Sequence, residues 1–177
     1  MKVRNLLCVL LSLFVLSCWV SPIWAKGPSA SPTLTEAEKA TILQLREEEK
    51  LARDVYLEMY EFWGAPIFNN ISKSEQQHMD AVKNLITKYG LVDPVTDESV
   101  RGGFTDPAFQ QLYQELLAKG QASLVGAYEV GVAIEELDIG DLKKMLPIND
   151  NADVVRVMSN LLSGSYNHLD AFNSHLP

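Results

Sequence analysis

From Thr35 onward, apolar residues return every three or four positions in stretches divided by glycine and proline. No stretch alternates with the period of two that a half-buried strand needs. The first stretch opens on Thr35-Glu36-Ala37-Glu38, with Thr35 as cap and Glu38 at the third helical position. It is expected to run to about Phe62, before Gly64 and Pro66, on a stripe of Ile42, Leu45, Glu49, Ala52, Tyr56 and Met59. Residues 66–70 read as a loop. A second helix, starting at Ser72 or Ser74, carries Glu75, His78, Val82, Leu85, Ile86 and Tyr89 and ends at Gly90. Residues 91–105 keep no period and contain Pro94, Gly102 and Gly103, so they read as a long connection.

Asp106-Pro107 opens a short third helix with Phe109, Leu112, Tyr113, Leu116 and Leu117 on its apolar face, ending at Gly120. The next helix is expected near Gln121, on a stripe of Val125, Tyr128, Val132, Glu135, Ile139, Leu142 and Leu146, stopped by Pro147. Asn149 or Asp150 caps a last helix to about His175, with Val154, Val157, Leu161, Gly164, His168 and Phe172 inward. The pattern predicts an all-α fold, a four-helix bundle with an additional short helix in its long connection.

The first 25 residues follow a different rule. Lys2 and Arg4 precede an apolar run from Leu6 to Leu16, and Ile23-Trp24-Ala25 ends in a small residue, which predicts a secretory signal peptide over 1–25. The run is short of the ~20 residues that a spanning helix needs. The expected location is therefore periplasmic or extracellular. Val15-Leu16-Ser17-Cys18 offers lipid attachment as a minor alternative. Residues 26–34 read as a linker and 35–177 as one domain. Both cysteines, Cys8 and Cys18, fall inside the leader, so the domain has neither a disulfide nor a thiolate ligand. Removing Lys2 and Arg4 leaves 13 basic against 23 acidic residues, a net charge of −10. That balance excludes an electrostatic fit to nucleic acid and favours cations.

Charge also sits where apolar residues are expected. Glu49, Glu75 with His78, Glu135 and His168 lie on the inward stripes of four different helices. Buried carboxylates are costly unless they are paired or bound to a metal. An oxygen and imidazole donor set suits iron or manganese, and zinc less specifically. Glu48 is a rival for Glu49, and Glu136 for Glu135. Tyr56 and Tyr128 read as core aromatics that could donate hydrogen bonds or electrons near a metal. Arg53 and Asp54 pair either behind the ligands or on the surface.

These residues carry a resemblance. Glu49-Lys50-Leu51-Ala52-Arg53-Asp54-Val55-Tyr56 resembles the Glu-x-x-Ala-Arg-x-x-Tyr pattern in the first helix of rubrerythrin-like proteins, and Glu75-x-x-His78 resembles their second-helix motif. The span 35–175 is similar to an exported, largely bacterial domain-of-unknown-function family of the ferritin-like superfamily. Glu48 to Tyr56, Ile134 to Ile139 and Gly164 to Leu169 look like its hallmarks. The resemblance implies a ferritin-like bundle that holds two metals, often iron, on Glu, Glu-x-x-His, Glu and Glu-x-x-His. It also implies oxidase, ferroxidase or peroxide-reducing chemistry, with an external electron donor because no thiolate centre remains, and leaves a homo-oligomer open.

The sequence departs from that pattern at Ser165-x-x-His168, where one carboxylate is missing. Glu136 or Asp138 is expected to replace it from the neighbouring helix, giving an altered di-metal site; otherwise the site holds one metal. The alternative function is a domain that binds metal without catalysis or serves as a helical interaction module. Spacing is a second difficulty. With Glu49 and Glu75 only 26 residues apart, the first helix overshoots the site by ~20 Å. Either the loop before Glu75 runs back, or the helix ends early.

Overall fold

The computed structural model describes residues 33–177, so the expected leader and most of the linker lie outside the described residues. The described residues form five α-helices and one 3-10 turn, with no strand among them. The helices are α1 (Glu36–Trp63), α2 (Pro66–Tyr89), α3 (Pro107–Gly120), α4 (Leu124–Met145) and α5 (Ala152–Asn173). The 3-10 turn, Leu146–Ile148, links α4 to α5.

Helix α1 begins as its sequence dictates. The Glu38 amide donates to Thr35 Oγ1 at 3.2 Å, and the Thr35 amide donates to Glu38 Oε2 at 2.8 Å. Such a cap is worth about 0.5–2 kcal/mol. Gly64 closes the helix in the left-handed region at φ 67°, where a side chain would be strained.

The loop expected over 66–70 is instead the first turn and a half of α2. Proline lacks the amide that a first helical residue leaves unbonded anyway, so Pro66 starts the helix rather than breaking one. Phe68 and Ile71 then bury the early face of α2. This removes the spacing difficulty. Glu75 sits more than two turns into α2, and a link of only Gly64 and Ala65 joins two antiparallel helices. Glu49 lies ~21 Å before the end of α1 and His78 ~18 Å after the start of α2, so both reach one height.

Two further starts move. Ser123 caps α4, its Oγ accepting from the Gly126 amide at 2.9 Å. Asn151, rather than Asn149 or Asp150, caps α5, accepting from the Asp153 amide at 3.0 Å. Both are side-chain caps for first-turn amides that have no partner within the helix, which Ser and Asn supply well.

Helix α1 packs along α2 and α4 along α5, while α2 meets α5 and α1 meets α4. Helix α3 lies against α1 and α4. Two apolar clusters result. One gathers Val55, Tyr56, Met59, Phe68, Val130 and Phe172. The other gathers Ile42, Leu45, Val82, Leu142, Met158 and Leu161. In chain order along every long helix, the ligand-type residues fall between the members of these clusters.

The inward face of α4 differs from the expected stripe. Val125 is exposed and Tyr128 and Val132 are half-buried, while Gly126, Ala127, Val130, Gly131, Ile134, Asp138 and Met145 are buried with Glu135, Ile139 and Leu142. Small residues at close helix approaches do not register as an apolar stripe. In α5, Met158 and Ser165 take the buried places expected for Val157 and Gly164.

Candidate metal centre

Twelve consecutive residues of α1, Leu45 to Tyr56, are buried, so charges on two faces of one helix leave the solvent together. The outer face is covered by residues 93–106. Arg46 Nε donates to Asp93 at 3.1 Å and its Nη2 pairs with Glu98. Arg53 donates to Asp54 Oδ1 at 2.6 Å, to Gln76 at 2.7 Å and to the Glu98 carbonyl at 2.8 Å. Lys50 pairs with Asp54 and donates to the Val100 carbonyl at 2.8 Å. Glu47 accepts from the Thr105 and Asp106 amides. Arg53 and Asp54 are therefore a buried ion pair beneath this segment, not a surface one.

The inner face is built differently. Glu49 from α1 and Glu75 and His78 from α2 converge, with His78 Nδ1 3.1 Å from Glu49 Oε2 and 2.7 Å from Glu75 Oε2. On the other side of Glu75, His168 Nδ1 from α5 lies 2.7 Å from Glu75 Oε1 and 3.6 Å from Glu135 Oε2 of α4. The two imidazoles stack at 5.5 Å between centroids. Two three-residue groups follow: Glu49, Glu75 and His78, and Glu75, Glu135 and His168. In each, one potential ligand atom per residue lies within 4.8 Å of the others, and Glu75 belongs to both.

The atoms facing the middle of this cluster are unsatisfied. Glu49 Oε1, Glu75 Oε1 and His168 Nδ1 are buried with no hydrogen-bond partner. Although the last two are only 2.7 Å apart, their geometry is not that of a hydrogen bond. Carboxylate and imidazole donors gathered from four helices are what a cation requires, and buried polar atoms without partners are otherwise rare.

Burial and mutual contact govern protonation. Burial would raise the Glu75 carboxyl, but His168 and His78 hold it down at about 2. Burial opposes charge on His78 as well, yet Glu49 and Glu75 raise it to about 11. His168 likewise rises to about 9 against its burial, through Glu135 and Glu75. Burial lifts Glu135 to about 7 and Glu49 well above the usual carboxylate range. The cluster thus holds itself together with shared protons that a metal would displace.

The surroundings orient the ligands. Tyr56 OH donates to Glu135 Oε1 at 2.6 Å. Ser74 Oγ meets His168 Nε2 at 2.9 Å, leaving Nδ1 to face the carboxylates. The His78 ring lies on Gly164, where an added β-carbon would be 2.6 Å from the imidazole. The sequence pattern does not assign these supporting roles: it offers Ser74 as a helix start and Gly164 as a stripe position within the Gly164 to Leu169 hallmark.

Not every candidate joins the cluster. Glu136 is exposed, a third of a turn from Glu135, and takes no part. Asp138, one turn beyond Glu135, is buried beside the cluster, lifted to about 6 by burial. Its Oδ2 accepts from Ser165 Oγ, and its Oδ1 has no partner. Glu48 is also buried, at 4 % exposure, facing α4 rather than the histidines. A cavity of about 10 Å³, room for the centre of one water or ion, is lined by Glu48, Glu49, Glu75, Glu135 and Asp138 with apolar neighbours.

Fold and site together define an all-helical domain with a buried carboxylate and histidine cluster. The chain belongs to the family described as Uncharacterized protein domain (DUF2202), whose model matches residues 38–176. It is 51 % identical over 139 residues to Uncharacterized protein MJ0754 of Methanocaldococcus jannaschii, covering 78 % of this chain and 75 % of that protein. The crystal structure of hypothetical protein MJ0754 from Methanococcus jannaschii DSM 2661 superposes with a TM-score of 0.81 at 48 % identity, covering 83 % of each chain.

Proposed function

We propose that this protein is an exported, ferritin-like four-helix bundle that binds two metal ions, iron or manganese, and uses them in redox chemistry with oxygen or peroxide. The observation that carries the reading is Glu75, shared by two carboxylate and histidine groups drawn from α1, α2, α4 and α5. Glu49 and His78 would hold one ion, and Glu135 and His168 the other, with one Glu75 oxygen toward each. Zinc suits the same donors less specifically. The chemistry such a pair supplies when bound is one-electron exchange at open coordination positions.

The remaining residues prepare that site. Tyr56 fixes the rotamer of Glu135, and Ser74 fixes the ring of His168. The apolar clusters on either side keep bulk water away from the ligands. Since Cys8 and Cys18 both fall in the leader segment, electrons must come from an external donor. Export to the periplasm or beyond rests on that leader, with lipid attachment at Cys18 as the lesser route.

A second reading is favoured by Ser165. The fourth ligand helix offers a hydroxyl where the ferritin-like pattern has a carboxylate, and this hydroxyl is tied to Asp138. A site so altered could hold metal for stability or storage without turnover. The test is to load purified protein with Fe(II) under argon, count the iron, and admit oxygen. Two or more irons per chain with an oxygen-dependent absorbance change support the first reading. Bound iron without that change supports the second. No bound iron refutes both.

A further inference from the structure

We propose that Glu48 and Asp138 form an outer divalent-cation position in the cavity between α1 and α4, beside the histidine-bearing centre. The inference rests on the metal-binding reading above and adds a site to it. Glu48 belongs to neither three-residue group. It is 4 % exposed, and both of its carboxylate oxygens are buried without a hydrogen-bond partner. Every other acid in its stretch of α1 has a donor: Glu47 has backbone amides, Glu49 has His78 and Asp54 has Lys50 and Arg53.

Protonation alone does not satisfy Glu48. A shared proton could join one oxygen of Glu48 to one of a neighbouring carboxylate, and would still leave a buried oxygen of Glu48 without a donor. Asp138 lines the same cavity and its Oδ1 is equally unpartnered, so beside Glu49, Glu75 and Glu135 of the inner centre this space holds two further carboxylates with oxygens that no protein donor reaches. Lys144, the basic side chain on the adjacent surface of α4, is directed to Asp141 at 2.7 Å and is 77 % exposed. A cation is the partner that answers both carboxylates at once. A donor set made only of oxygen, with no imidazole, suits a hard divalent ion held less tightly than in the inner centre.

The experiment is a Mn(II) titration of the purified protein under argon, with bound ion counted by elemental analysis and free ion by its paramagnetic resonance signal. The wild type is expected to bind three Mn(II) per chain in two affinity classes. Glu48→Gln keeps shape and removes the charge, and is expected to bind two, with the tight class changed by less than about twofold. Asp138→Asn is expected to lose the same weak equivalent, and His78→Ala to lose tight binding while keeping the weak one. Wild type and Glu48→Gln binding two ions alike would overturn the outer position and leave the inner centre standing. A wild type that binds none would overturn both. Thermal melts of each variant verify folding.

Discussion

Two buried charged regions grow from the same twelve residues of α1, and they are finished in opposite ways. On the outer face, Arg46, Lys50 and Arg53 meet Asp54, Asp93, Glu98 and backbone carbonyls, while Glu47 takes two backbone amides. On the inner face, Glu48, Glu49, Glu75, Glu135 and Asp138 have two histidines among them, and several oxygens have no partner. Burial and charge density alone would not separate a strap from a binding site. Satisfaction does. Where the chain supplies every donor and acceptor, the region holds the fold. Where it withholds them, the proposal is that a cation from outside completes it.

The sharpest way to break this contrast is Asp54→Ala. It would leave Lys50 and Arg53 buried without their carboxylate, and a loss of about 3–5 kcal/mol is expected in urea unfolding. A loss below ~1 kcal/mol would mean that the outer network does not hold the strap. Glu75→Gln is the inner counterpart. It is expected to abolish the tight class of metal binding at concentrations that saturate the wild type, while the metal-free protein remains folded by circular dichroism. Retained tight binding would remove Glu75 as the shared ligand.

Gly164→Ala should be milder. Its methyl group would displace the His78 ring and is expected to weaken metal affinity about 10–100-fold, as lost support around ligands does. Unchanged affinity would show that the ring relaxes without consequence.

The pH dependence follows from the cluster's own protons. His78 and His168 titrate at about 11 and about 9 in the folded metal-free protein, against roughly 6.5 unfolded. Their stabilisation is complete below about pH 6.5 and is lost as pH rises through those values. Glu135 at about 7 and Asp138 at about 6 are raised carboxyls, so their contribution also falls with rising pH. Only Glu75, at about 2, runs the other way, and its contribution is lost as pH falls from roughly 4 toward 2. The metal-free protein should therefore melt at lower temperature at pH 9 than at pH 5.5, and saturating Mn(II) should reverse that trend, both seen by calorimetry. Smallest of all, Glu136→Gln should change stability by less than ~0.5 kcal/mol and leave metal content unchanged.

Much of the inner region was legible because helical period and residue type agree. Glu49, Glu75, His78, Glu135 and His168 interrupt apolar stripes, and the fold brings all five together. Choosing between Glu136 and Asp138 was a matter of phase: three residues return to nearly the same face, and one residue does not. The start of α2 is hidden in the sequence because proline breaks a helix interior, whereas at a first helical position the missing amide of Pro66 costs nothing. The inner face of α4 was obscured by Gly126, Ala127 and Gly131, which pack by being small. The outer network was illegible for another reason. Its partners lie in residues 93–106, which have no period, so nothing local connects Asp93 or Glu98 to Arg46.

The link of Gly64 and Ala65 sets the phase of the site as well as its height. With so short a turn, α1 and α2 cannot slide past one another, and Glu49 and Glu75 are indexed to the same fixed point, like teeth on two gears cut from one blank. A single residue inserted between Pro66 and Glu75 would turn everything beyond it by about 100° and advance it by about 1.5 Å. Four inserted residues would nearly restore the angle but shift the ligands by about 6 Å. Length changes in this hairpin should therefore be tolerated by the fold in whole turns, and by the metal centre hardly at all.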